Sequence, residues 1–366
     1  MDLPPFLLDH WLAAHDFSDP PIRYNLASST GPRWPAGQIA ALGDTPPLDM
    51  DAAILSYAPP EGSLALRAAV ADFHGVDPDW VVMTTGSSEA LSILSCLAAR
   101  PGAHILIPDP ASPAYAAVAQ AWGMATRSYR LDRDNGFAQD AEAILAAVDT
   151  DTAAVIVNTP HNPTGSVMLP ADMAALAAAL MDRGVLLIVD EVYHPLYFGE
   201  PLPSAAAIPG VIVTSDLSKA MSLPGLRTGW LIDANAARRK SAIDARSYFT
   251  VSGSPLLEAL AARALENRSI IFERLDGVGQ ANMIMLDHLI GRSGGMLDWV
   301  RPRGGTTCFP WFADGRDSRP FCQLLSERGV LLAPGDCFDH PAHMRIGLTQ
   351  QDEGFAEAVE IIASLL

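Results

Sequence analysis

The 366 residues contain only two lysines, Lys219 and Lys240, so arginine does the cationic work elsewhere. Lys219 lies in the loop Ser215 to Arg227 (SDLSKAMSLPGLR), directly after the apolar run Val211 to Thr214. A lone amine in a Gly/Pro-bounded loop behind a buried strand suits covalent chemistry, because a desolvated lysine gives up its proton and becomes a nucleophile. Three other loops follow apolar runs in the same way. Gly86-Ser87-Ser88 opens a helix with a glycine and two hydroxyls, a ready anion site. Asn158 to Gly165 (NTPHNPTG) is dense in turn-forming residues, and Asp190-Glu191-Val192-Tyr193 puts a carboxylate at the end of a run.

These loops need strands to place them. From about residue 63 to 230 helices alternate with apolar stretches: Trp80 to Thr84, His104 to Pro108, Ala153 to Val157, Val185 to Val189, Val211 to Thr214 and Gly229 to Ile232. The runs are continuous rather than alternating, which predicts strands covered on both faces in a mostly parallel, doubly wound α/β sheet. In such a sheet ligands sit beyond the carboxyl ends of the strands, where the four loops fall. Ser63 is placed to cap a helix LALRAAVADFH that Gly75 stops, and Asp172 to Arg183 reads as a second helix. Beyond residue 255 the pattern becomes a long helical stretch to about Leu289, a strand-like Thr306 to Phe312, a helix near Phe321 to Arg328 and short strands. The expected organisation is an N-terminal segment, 1–35, joining a small α+β domain formed by 255–366, with 36–254 as the large domain.

Composition narrows the classes. Hydrophobic residues make up 49% of the chain, enough for a large core, and 24 basic against 42 acidic residues give a net charge of −18. A nucleic-acid partner is not expected of so acidic a chain without clustered Lys and Arg. Met173 to Met181, the longest uncharged apolar run, is far short of the ~20 residues that span a bilayer. With no basic–apolar leader and four widely spaced cysteines, the expectation is a cytoplasmic protein with reduced thiols and no metal site.

NPTG, D-E-x-Y and S-K-x₇-R-x-G, in that order and between strands, resemble the class I/II aminotransferases, pyridoxal 5′-phosphate enzymes of fold type I. The resemblance runs from Tyr57 to Arg345. It implies that Lys219 forms the Schiff base with the cofactor and then moves a proton at the substrate α-carbon. It implies that Asp190 pairs with the pyridine nitrogen, and that Asn162 and Tyr193 bond the ring's O3′. Gly86, Ser87 and Ser88 would hold the phosphate, with Arg227 neutralising it. Tyr57 would reach the phosphate from the neighbouring subunit of a homodimer. Arg345, in MRIG, would clamp the substrate α-carboxylate, and Ser29 and Trp34, in the segment after Ser28, would line the substrate pocket beside Arg303 to Phe309.

Two departures stand out. The residue three before Lys219, a hydroxyl in the family, is Asp216, so Ser215 or Ser218 is expected to supply that hydroxyl. The place that usually stacks an aromatic ring on the cofactor holds Ser112, with Tyr115 three residues on. His161 and His194 flank the motifs and read as structural histidines. Asp44, Asp49 and Asp51 would attract a basic side chain only if they were not a solvated loop. Finally, DHWLAAH, VVMTTGSSEAL, GVLLAPGDCF and MRIG are similar to the capreomycidine synthases, which cyclise a hydroxylated arginine on the same scaffold. A cyclase or β-lyase is therefore the alternative to a transaminase, since the site motifs serve each alike.

Overall fold

The computed structural model describes residues 5–19, 21–49, 54–350 and 353–366; Asp51 lies outside them. Its centre is a seven-stranded sheet built from β1 (Val81–Thr84), β2 (His104–Asp109), β3 (Ala125–Arg130), β4 (Thr152–Asn158), β5 (Leu186–Asp190), β6 (Val211–Asp216) and β7 (Gly229–Asp233). The spatial order is β1-β7-β6-β5-β4-β2-β3. Every neighbouring pair is parallel except the two that β7 makes, with β1 and with β6.

The continuous apolar runs are explained by burial on two sides. Along β4, Val155 and Val157 enter the main core while Ala154 and Ile156 enter a second one on the opposite face. Leu187 and Val189 against Ile188, and Val211 and Val213 against Ile212, divide in the same way. Each face is thus filled by alternate residues of strands that are apolar throughout. The omitted strand is β3, whose sequence ATRSYR is polar and mostly exposed. It is an edge strand, so only one side of its ladder is satisfied and apolar periodicity is not required of it.

The topology gathers the loops. The carboxyl ends of β1, β2, β4, β5 and β6 share one edge of the sheet, and because β7 runs backwards its first residue, Gly229, lies at that edge too. Gly229 is paired with both Thr84 and Asp216. A Cβ on Gly229 would lie 2.5 Å from the carbonyl carbon of Gly86, so this junction requires glycine.

Outside the sheet, the stretch after residue 255 is two helices, Pro255–Glu266 and Arg268–Arg292, interrupted at Asn267. The strand-like Thr306 to Phe312 resolves into two short strands, Thr307–Cys308 and Trp311–Phe312, separated by Phe309 and Pro310. Ser63 occupies the N-cap of the helix Leu64–His74 but makes no side-chain cap bond; its N–H donates to Glu258 instead. Tyr24–Asn25 runs parallel to Val330–Leu331, and Gly347 N–H donates to Leu26 O, which ties the N-terminal segment to the C-terminal third. All four cysteines are free thiols. Among the described residues no helix is long and apolar enough to cross a membrane.

Candidate active site

A cavity of about 300 Å³ opens at the shared sheet edge. It is lined by Lys219, Asp190, Tyr193, Asn162, Ser87, Ser88, Ser218, Arg227, Arg345 and Ser29, so ten of the expected site residues meet in one place. Gly86, Tyr57, Trp34 and the segment Arg303 to Phe309 do not line it.

Lys219 follows β6 by three residues, and its Nζ donates to Ser29 Oγ at 2.9 Å. Burial pulls the amine below the ordinary lysine range; Asp216 opposes this, Arg345 adds to it, and Asp190 and Arg227 contribute less. Lys240, by contrast, is exposed and paired with Asp244 at 2.6 Å. The chemistry asked of a lysine is therefore available at only one of the two.

Asp190 ends β5 and is 5% exposed. Its Oδ1 accepts from Val192 N–H at 3.1 Å and its Oδ2 from the Tyr115 hydroxyl at 2.7 Å. Tyr115 thus points inward on to the carboxylate and lines the cavity with Ser112. Burial raises the Asp190 pKa to about 7, against the two hydrogen bonds. The sign of the consequence is definite. A carboxyl raised from 3.8 in the unfolded chain to about 7 in the folded one favours folding when protonated, and that contribution is lost as pH rises between those values. Asp190→Asn, a neutral mimic, should therefore stabilise the cofactor-free protein. Its advantage should grow from pH ~4 to ~7 and then level at a few kcal/mol (~1.4 kcal/mol per unit). Denaturant melts of both proteins across that range check this, and a flat difference contradicts it.

The anion end of the cavity lies at the N-terminus of the helix Ser87–Ala98. Gly86 precedes it at φ +77°, and a Cβ there would lie 2.8 Å from Arg227 Nη2 and 3.5 Å from Asp216 Oδ2. Asp216 is the surprise. Its Oδ2 accepts from Ser87 N–H at 3.1 Å and from Ser87 Oγ at 3.0 Å, and its Oδ1 accepts from Ser218 N–H at 2.8 Å. Ser215, the other hydroxyl considered for this end, donates to Glu191 O and does not line the cavity.

At the opposite end Arg345, on the strand Met344–Gly347, is 2% exposed. Its Nη1 donates to Asn162 Oδ1 at 3.1 Å and its Nη2 to Ala27 O at 2.6 Å. Among the described residues its buried Nε has no partner. A buried guanidinium held only by neutral acceptors is an anion site awaiting a charge. Tyr193 lies near Arg345 and bonds Ser29; burial pushes its hydroxyl up to about 12, so it remains a donor at neutral pH.

Some expected residues lie elsewhere. Tyr57 is 84% exposed and does not line this chain's own cavity. Trp34 faces a neighbouring cavity with Thr30 and Gly31, under Arg274, rather than the one holding Lys219. His161 and His194 are buried against Thr164 and Tyr197 and stay outside the site. Asp44 and Asp49 are exposed and do not line it. Besides Asp190 and Asp216, the acid that lines the cavity is Asp9, from the helix Leu7–His15. It opens the segment DHWLAAH, in which no periodicity marks one residue as facing a ligand.

The profile of the family "Aminotransferase class I and II" matches residues 38–362. Capreomycidine synthase of Streptomyces vinaceus is 33% identical over 95% of this chain and 90% of its own length. Arginine–pyruvate transaminase of Pseudomonas aeruginosa is 30% identical, over 87% of this chain and 86% of its own. Among solved structures, a PLP-dependent aminotransferase from Streptococcus suis superposes with a TM-score of 0.91 at 28% identity, covering 100% of this chain and 98% of the other.

Proposed function

Because the chain belongs to the class I and II aminotransferase family, we propose that it exchanges an amino group between an α-amino acid and a 2-oxo acid, with Lys219 as the attachment point of the cofactor. That cofactor is pyridoxal 5′-phosphate, which when bound draws the electron pair left at the substrate's α-carbon into its ring. The residues present suit it. Gly86 leaves free, beside Arg227, a space that a Cβ would fill, and the helix N-terminus faces the same place. The charge balance suits it as well, since a buried Asp190 gains a partner once a protonated ring nitrogen lies against it.

In this reading Arg345 binds and orients the substrate carboxylate, Asn162 holds Arg345, and Tyr193 donates its hydroxyl towards the ring. Lys219 Nζ takes the proton from the α-carbon, with Ser29 holding the amine in place. The observation that carries the reading is that one cavity is lined at once by Lys219, Asp190 and Arg345. Exposed Ile54, Leu55 and Tyr57, at 77%, 78% and 84%, support a homodimer in which Tyr57 serves the partner's phosphate. A panel of amino acids offered without any oxo-acid acceptor tests the reaction. A transaminase yields one equivalent of 2-oxo acid and leaves the amino group on the cofactor.

The similarity to capreomycidine synthase over 95% of the chain favours a second reading, cyclisation or elimination on an amino acid. The panel separates the two, because that chemistry releases product repeatedly with the cofactor unchanged. In both readings Asp9 points to the side chain that is accepted. Its exposed carboxylate lines the cavity and acts electrostatically on Arg345 without a hydrogen bond to it. Once a substrate carboxylate engages Arg345, a cationic side chain on the same amino acid would pair with Asp9. Asp9→Asn is expected to lower kcat/KM for arginine-like substrates by about five- to tenfold, the value of one near-surface charge contact. Neutral amino acids should be unaffected, and an equal loss for both classes would remove Asp9 from recognition.

A further inference from the structure

The anion end of the cavity holds a carboxylate of its own. Asp216 closes β6, is 6% exposed, and takes both donors of Ser87, the first residue of the helix Ser87–Ala98. Its other oxygen is fixed by Ser218 N–H at 2.8 Å, so the side chain is clamped from two loops and cannot turn aside without breaking both sets of bonds. Arg227 faces the same side of Gly86 as Asp216, with one weak bond to Pro224 O at 3.3 Å. A helix N-terminus presents its outward donors once. A cofactor phosphate arriving there meets the donors of Ser87 already engaged and a like charge beside them, in a site where such repulsion is poorly screened.

We propose that Asp216 is an internal occupant of the phosphate cup. It satisfies the donors of Ser87 and Ser218 while the cofactor is away and competes with the phosphate for them when it arrives. Two consequences follow. The cup keeps its shape without cofactor, since the N–H groups of Ser87 and Ser218 stay paired. The phosphate contributes less to affinity than it would beside a serine, so the cofactor is held chiefly through Lys219 and the contacts of its ring, and exchanges more readily. Asp216 acts here as a positioning residue, through Ser87 and Ser218. The inference rests on the cofactor seat proposed above.

The test uses the full chain stripped of cofactor, titrated separately with pyridoxal 5′-phosphate and with pyridoxal, which lacks the phosphate. Binding is followed by the visible absorbance of the bound ring. Asp216→Ser and Asp216→Asn should bind the phosphorylated form about tenfold more tightly than wild type, the scale of one removed like charge. Binding of pyridoxal should stay within about a factor of two, and inorganic phosphate should compete more strongly in both variants. The asparagine variant keeps the shape and the acceptor for Ser218 N–H, so it decides the matter if the serine variant folds poorly. Weaker binding of pyridoxal 5′-phosphate in both variants would overturn the proposal and make Asp216 a scaffold for the cup. An equal shift for the two ligands would overturn it as well, because the effect would not act on the phosphate. Failure of wild type to bind either ligand would remove the seat itself, and the inference with it.

Discussion

Lys219→Ala is expected to abolish steady-state turnover of every amino acid, with residual rates at least about 10⁴-fold below wild type. The size follows from the two tasks that meet on one atom. In the proposed reading Nζ would be both the attachment point of the cofactor and the base at the α-carbon; loss of a positioned base alone costs about 10²–10⁴-fold. No neighbour can substitute. The groups around Nζ are Ser29, Asp190, Asp216, Tyr193 and Arg345, and none is a free amine. The variant should still take up cofactor through the cup and Asp190, without a covalent link. Lys240→Ala, which removes an exposed partner of Asp244, should change neither property. Turnover of the Lys219 variant at wild-type rates would refute the assignment.

Arg345→Ala should raise KM for α-amino acids by about 10²-fold or more, the cost of removing a buried, charge-assisted carboxylate contact. The structure makes this larger than a surface arginine would give. The guanidinium is buried, it has no carboxylate to lose, and its Nε has no partner among the described residues. Asn162 and the carbonyl of Ala27 fix the plane of the fork, so a substrate carboxylate meets two donors already aligned. Arg345→Lys should recover only part of the loss, because an ammonium is a point charge and cannot reproduce the fork. Amines without a carboxylate should be indifferent to both changes. If they suffer equally, Arg345 serves the architecture and not the substrate.

The sheet was readable because its strands are apolar on both faces, and the loops after them were readable because a parallel sheet collects its ligand groups at one edge. Six of the seven strands, the antiparallel β7 among them, fall within a residue or two of the apolar runs. The polar edge strand β3 carried no such signal. The cavity residues that follow strands were legible for the same reason: Asp190, Asn162, Lys219 and Ser87 each sit within four residues of a strand end. What could not be read were side-chain directions and contacts between distant segments. Nothing in PDPASPAY says that Tyr115 turns on to Asp190, and Trp34 turned away from the pocket its neighbour Ser29 enters. Asp216 departs from the hydroxyl of the family pattern, yet its grip on Ser87 lies between residues 129 apart. Asp9 opens DHWLAAH, but nothing in that segment says that its helix reaches the cavity; the pairing of Tyr24–Asn25 with Val330–Leu331 and the bond from Trp11 Nε1 to Leu332 O hold this part of the chain there.

The central claim is that Lys219 alone among the two lysines carries the cofactor. Reduction of the cofactor-loaded protein with borohydride, followed by digestion and mass mapping of the peptides, tests it most directly. The account predicts one pyridoxyl-phosphate adduct per chain, on the peptide containing Lys219, and none on the peptide containing Lys240. An adduct on Lys240, or a loaded protein that reduction leaves unlabelled, would contradict it.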